Sequence, residues 1–356
     1  MQLDDLDHYF QERALSDDFS GVALITQGGT QIFAGAYGYA SRTWKIPTSL
    51  ATRFDTASVT KLFTAVATLQ LVERGALAFD MPVVEVLGLQ ETTIAPTVTV
   101  YHLLTHTSGI ADDAEEELGE DYADVWTTRP NYAVQETRDF LPQFAFKPAN
   151  FAPGQGCRYC NCGYVLLGLL IEQVSGLSYR DYVRQHIFAP AGMVHSDFFR
   201  MDVVAEDVAE GCDPMHDTQR RLVGWKKNIY SYPPIGSPDG GAHVTAADLE
   251  RFLRMVQAGT LLSTTSVDAF LTPQVLHHVG EEGQVMYGFG MEFAVGENGH
   301  VLFAEKEGIN TGVSAVLRYY PSSDITVVLL SNMQRGVWEP RRAIHRLLLR
   351  EEQGAD

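Results

Sequence analysis

The stretch Phe54-Asp-Thr-Ala-Ser58-Val-Thr-Lys61-Leu-Phe-Thr-Ala-Val66 runs from a polar turn into an apolar helix, and the rest of the chain is read from it. Three residues is nearly one helical turn, so the Ser58 hydroxyl and the Lys61 amine share a face. At a helix start, unpaired backbone N–H groups and the positive end of the dipole favour an alkoxide-like nucleophile and the oxyanion it creates. An amine beside the hydroxyl can take its proton if burial and a neighbouring cation keep it neutral. The residues that follow, from Leu62 through Val72 to Gly75, are apolar nearly all round, which describes a buried central helix. A lysine at the mouth of such a helix calls for a reason. Ser58 is the candidate nucleophile and Lys61 a candidate base.

Two further polar segments stand far downstream. Tyr159-Cys160-Asn161 precedes a second apolar helix beginning at Gly163, and Lys306-Glu307-Gly308 follows the strand-like run Val301-Leu-Phe-Ala304. The order Ser-x-x-Lys, Tyr-x-Asn, Lys-x-Gly resembles that of serine β-lactamases and penicillin-binding proteins. Within that group the chain is similar to the class C β-lactamase and D-alanyl-D-alanine carboxypeptidase family, which also holds esterases and D-aminopeptidases. The similarity runs over about residues 15 to 335. Leu103-Leu-Thr-His106-Thr-Ser-Gly-Ile110, Phe151-Ala-Pro-Gly154 and Tyr287-Gly-Phe-Gly290 match in the same order.

The resemblance implies an α+β fold in which strands from both chain ends form one antiparallel sheet flanked by helices, with a helical lobe between them. The expected division of this single catalytic unit is an α/β lobe of about residues 1–56 and 255–356 and a helical lobe of about 57–254. The patterning agrees. A helix is expected over about Leu3 to Leu15, then a glycine-turned hairpin, Gly21 to Thr26 and Gln31 to Tyr37, joined through Gly28-Gly29. Strands are expected at Tyr287 to Ala294, Val301 to Glu305, Val313 to Tyr320 and Ile325 to Ser331, and a closing helix at about Glu339 to Arg350. The acidic stretch Asp112 to Asp124 reads as a solvated loop or helix rim.

Roles follow from the resemblance. Ser58 attacks a carbonyl carbon, with the oxyanion between the backbone N–H groups of Ser58 and Ile309. Lys61 and Tyr159 handle protons, and Lys61 and Lys306 on either side are expected to depress the Tyr159 pKa; which of the pair is the base stays open. Asn161 is expected to hydrogen-bond Lys61 and the acyl group, and Lys306, Glu307, Gly308 and Ile309 to line the substrate. Glu307 departs from the hydroxyl residue usual between Lys and Gly. It either repels a substrate carboxylate, favouring uncharged esters or amines, or faces the back of its strand.

The expected function is therefore a serine hydrolase of small esters or amides. The alternatives are a β-lactamase or carboxypeptidase, or a penicillin-binding or sensory module without turnover. No cofactor and no metal is expected. His102 and His106 stand at i and i+4, but Leu103 occupies the place a zinc protease gives to glutamate. Cys157, Cys160, Cys162 and Cys212 fit free packed thiols better than a disulfide framework. A net charge of −19 over 356 residues argues against nucleic acid or an anionic membrane as a partner. No stretch approaches the ~20 apolar residues of a membrane span. Read as a native start, the acidic Met1 to Asp7 is unlike a secretory signal, so a cytoplasmic location is expected.

Overall fold

A computed structural model describes residues 2–280 and 283–354. Its framework is an eight-stranded sheet in which every neighbouring pair is antiparallel. We number the strands β1 Gly21–Gln27, β2 Thr30–Tyr37, β3 Val275–Gly280, β4 Gly283–Tyr287, β5 Glu292–Val295, β6 Val301–Asn310, β7 Val313–Tyr320 and β8 Ile325–Ser331. Their spatial order is β2-β1-β8-β7-β6-β5-β4-β3, so the two chain ends meet at the β1–β8 pair, as expected. The β1–β2 turn carries positive φ at Gly28 (56°) and Gly29 (77°), a backbone that a side chain would strain.

Strand β1 is buried on both faces, and its alternation divides the core. Ala23 and Ile25 join Val327 and Leu329 of β8 beneath the terminal helices α1 (Leu6–Leu15) and α5 (Trp338–Gly354). Val22 and Leu24 join Val328 and Leu330 on the opposite face, against a large cluster built on α2 (Lys61–Glu73), α3 (Asn161–Ser175) and α4 (Ala246–Gln257). Helix α2 is buried continuously from Lys61 to Leu71. That is why its sequence shows no polar face.

The strand expected over Tyr287 to Ala294 is two strands. Gly288-Phe-Gly290 turns the chain between β4 and β5, with Gly290 at φ 86°. Strand β3 was not anticipated, because its His277-His278 pair and half-exposed surface lack a clear apolar alternation. Strand β6 runs on through Lys306, Glu307 and Gly308 rather than ending before them. Strand β5 pairs with β6 only as far as Glu305. From Lys306 to Asn310, β6 therefore keeps β7 on one side and turns its other edge toward the Ser58 turn.

Candidate active site

Ser58 lies in a 3₁₀ turn, Ala57–Thr60, that leads directly into α2. Ala57 sits at φ 42°, a left-handed conformation costing a non-glycine residue about 1–2 kcal/mol. The turn is held from two sides: Asp55 Oδ1 accepts from Ala57 N at 2.7 Å and Ala57 O accepts from Gly241 N at 3.3 Å. Strand β6 presses against it through Gly308. A Cβ there would stand 2.1 Å from Thr56 O and 3.0 Å from Ser58 N, so only glycine permits this approach. Ile309 follows on the same free edge.

Four predicted residues converge. Lys61, with no exposed surface, places Nζ 3.0 Å from Ser58 Oγ, 2.7 Å from Asn161 Oδ1 and 2.7 Å from the Asp239 carbonyl oxygen. Tyr159 donates its hydroxyl hydrogen to Ser58 Oγ at 2.8 Å. The two carbonyl oxygens can accept both hydrogens of a neutral amine, which leaves its lone pair directed at the Ser58 hydroxyl. Burial, and then Lys306, pull the Lys61 pKa from 10.5 to about 8, against the opposing pull of Asp239.

The expected depression of Tyr159 is overturned: burial, followed by Glu116, pushes its phenol well above the ordinary value. Both ammonium groups lie over the ring rather than at the oxygen, Lys61 Nζ at 4.9 Å and Lys306 Nζ at 4.6 Å from its centroid. There they meet the ring's negative face and do little for a phenolate. Lys306 is also neutralised by Glu292 at 2.7 Å. Tyr159 is thus kept as a hydrogen-bond donor. His106, held neutral by burial, stacks on it at 4.7 Å and accepts from Cys160 N through Nδ1 at 3.1 Å.

Glu307 resolves to the second of its two readings. Alternation along β6 sends Lys306 and Gly308 toward the helices and Glu307 toward α5, where Arg341 pairs with it. Burial, then Glu292 and Glu305, raise its carboxyl to about 7. It does not line the substrate side.

The reading of Asp112 to Asp124 as solvated fails for its first part. Asp112 and Asp113 are buried, and Asp112 closes the N-terminus of α3: Oδ2 accepts from Asn161 N at 2.7 Å and Oδ1 from Cys162 N at 2.9 Å. Unpaired N–H groups at a buried helix start require such an acceptor. Glu116 Oε2 accepts from Asn161 Nδ2 at 2.9 Å, so the amide expected to meet the acyl group is already engaged at both ends. Glu117 accepts from Tyr159 N at 3.0 Å and pairs with His277 at 3.2 Å. The residues missed from sequence are therefore Asp112, Glu116, Glu117, Asp239 and Glu292.

All four cysteines are free. The Cys160 thiol caps α3 by accepting from Gly163 N at 3.3 Å. Among the described residues one group has metal-ligand spacing: Asp112, Asp113 and Cys162, with ligand atoms within 4.8 Å. Both Asp112 oxygens in it already serve α3. Among the described residues, no single helix is long and apolar enough to cross a membrane.

Known proteins resemble the chain over nearly its whole length. The family model described as Beta-lactamase matches residues 6–351. Esterase EstB of Burkholderia gladioli is 31% identical over 81% of this chain and 78% of its own. Penicillin-binding protein 4 of Amycolatopsis lactamdurans is 28% identical over 88% of this chain and 80% of its own. The crystal structure of a penicillin binding protein from Bacillus halodurans superposes with a TM-score of 0.86 at 37% identity, covering 94% of this chain and 99% of that one. With Ser58 beside Lys61 at the head of α2 and an antiparallel sheet joined from both chain ends, this chain belongs to the Beta-lactamase family of serine hydrolases.

Proposed function

We propose that the protein hydrolyses small uncharged or amine-bearing carboxylic esters or amides through an acyl-enzyme at Ser58. The observation that carries this reading is the Lys61 amine, buried, shifted toward neutrality and 3.0 Å from Ser58 Oγ.

Neutral Lys61 takes the Ser58 proton as Oγ bonds the carbonyl carbon. The oxyanion forms against the N–H groups of Ser58 and Ile309. As the tetrahedral species collapses, the bond to the leaving group breaks and Lys61 returns the proton to it. Water then repeats the sequence: its oxygen bonds the acyl carbon as Lys61 accepts its proton, the Oγ–carbon bond breaks to release the acid, and the proton goes back to Ser58. Tyr159 stays protonated throughout and orients Oγ by its donated hydrogen bond.

The substrate preference rests on charge. Lys306, the cation expected to greet a substrate carboxylate, is already paired with Glu292, while Glu116 and Glu117 lie at the catalytic groups. A free carboxylate would meet more repulsion than attraction there. The esterase relative supports this reading, and the penicillin-binding relatives keep the alternative in view.

The test is a fluorophosphonate probe followed by peptide mapping, run beside p-nitrophenyl acetate and a penicillin. Labelling of Ser58 alone, its absence in Ser58→Ala, and turnover of the ester are expected. A stable penicilloyl adduct without ester turnover would replace the proposal with a binding module.

A further inference from the structure

The catalytic cations are accounted for and one carboxylate beside them is not. Lys306 is balanced by Glu292 at 2.7 Å, and the Lys61 amine is enclosed by Ser58, Asn161 and the Asp239 carbonyl. Of the nearby carboxylates, Glu117 holds Tyr159 N and His277, and Asp239 accepts from Ser237 Oγ at 2.6 Å. Glu116 is the exception. Its hydrogen-bond partner is the neutral amide of Asn161, at 2.9 Å, and among the described residues no cation pairs with it. It is half-buried, near enough to Tyr159 and Lys61 for its charge to act on both, and carried on the short turn Glu116–Leu118. A partly desolvated carboxylate without a counter-ion has much to gain from a charge-assisted hydrogen bond.

The same contact competes with an acylamino carbonyl for Asn161, because one of the two Nδ2 hydrogens is already directed at Glu116. An ammonium brings its own donors and needs only the acceptor capacity that Glu116 retains.

Resting on the hydrolase reading above, we propose that Glu116 binds the ammonium of an α-amino acyl group, so that the substrates are esters or amides of amino acids with a free amine. Glu116 thereby determines specificity, and the nucleophile remains Ser58.

The experiment compares kcat/KM at pH 7 for the p-nitroanilides of D-alanine, L-alanine, N-acetylalanine and propionic acid, in the wild type and in Glu116→Gln. Glutamine keeps an oxygen for Asn161 and removes the charge. In the wild type, at least one alanine enantiomer should exceed both the N-acetyl and propionyl compounds by more than tenfold. Glu116→Gln should reduce that ratio at least tenfold while fluorophosphonate still labels Ser58. Equal wild-type turnover of the free-amine and N-acetyl compounds would overturn the proposal, whether or not the variant folds. So would a ratio unchanged in a folded variant. Loss of Ser58 labelling in the wild type would instead sink the hydrolase reading itself.

Discussion

Lys61→Met is expected to lower kcat/KM for p-nitrophenyl acetate by about 10³-fold or more, within the range of a positioned general base combined with lost alignment. The fold should survive. Methionine is close to the lysine stem in shape, and the substitution removes a buried charge whose desolvation was unfavourable. The chemistry should not survive, because among the described residues no other group with an available lone pair reaches Ser58 Oγ: Tyr159 donates to it, and the nearby Asn161 oxygen is an amide acceptor of negligible basicity. Steady-state kinetics on a variant whose circular dichroism matches the wild type provides the check. A loss below tenfold would mean that Lys61 merely positions Asn161 and the Asp239 loop.

Asp112→Ala is the change expected to cost most in stability, about 3 kcal/mol or more, read as a lowered denaturant midpoint. Its carboxylate accepts from Asn161 N, Cys162 N and Asp113 N, and alanine would leave these buried donors without their acceptor. Each unsatisfied buried donor costs about 1–3 kcal/mol, and partial relaxation keeps the sum below full additivity. Asp112→Asn retains one acceptor oxygen and should recover part of the loss. An alanine variant as stable as the wild type would show that α3 finds its N-terminal partners elsewhere. Activity should fall with stability, since Tyr159 and Asn161 flank the same helix start.

The sequence made one half of the site visible and hid the other for identifiable reasons. Ser58, Lys61, Tyr159 and Asn161 stand at the edges of two apolar helices, where polar residues of these types are conspicuous. Asp239 contributes a backbone carbonyl from 178 positions away, and a backbone atom has no side-chain signature. Glu116 and Glu117 were concealed in an acidic run whose composition suggests solvent, although helix α3 draws its first residues inward through Asp112. Glu292 was hidden by the broken strand, because Gly290 at φ 86° separates β4 from β5 and sets which residue meets Lys306.

One error was electrostatic. The motif order placed two lysines around Tyr159, and counting charges suggested a phenolate. The structure puts those lysines over the ring face and buries the phenol, with Glu116 adding to the rise, so burial prevails. For Glu307, period-two alternation allowed either face. The choice was made by Arg341 on α5, a residue 34 positions later that local patterning cannot place. The sheet itself was legible because β1, β7 and β8 are predominantly apolar, each buried along nearly its whole length.

The pH dependence of Ser58 acylation, followed under single-turnover conditions with an uncharged ester from pH 6 to 10, bears most directly on the central claim. Because the neutral amine is the reactive form, the rate should climb with pH and level off around a midpoint near 8, and that limb should vanish in Lys61→Met. A rate independent of pH across this range, or a rise centred near 10 that persists without Lys61 and disappears in Tyr159→Phe, would contradict the account.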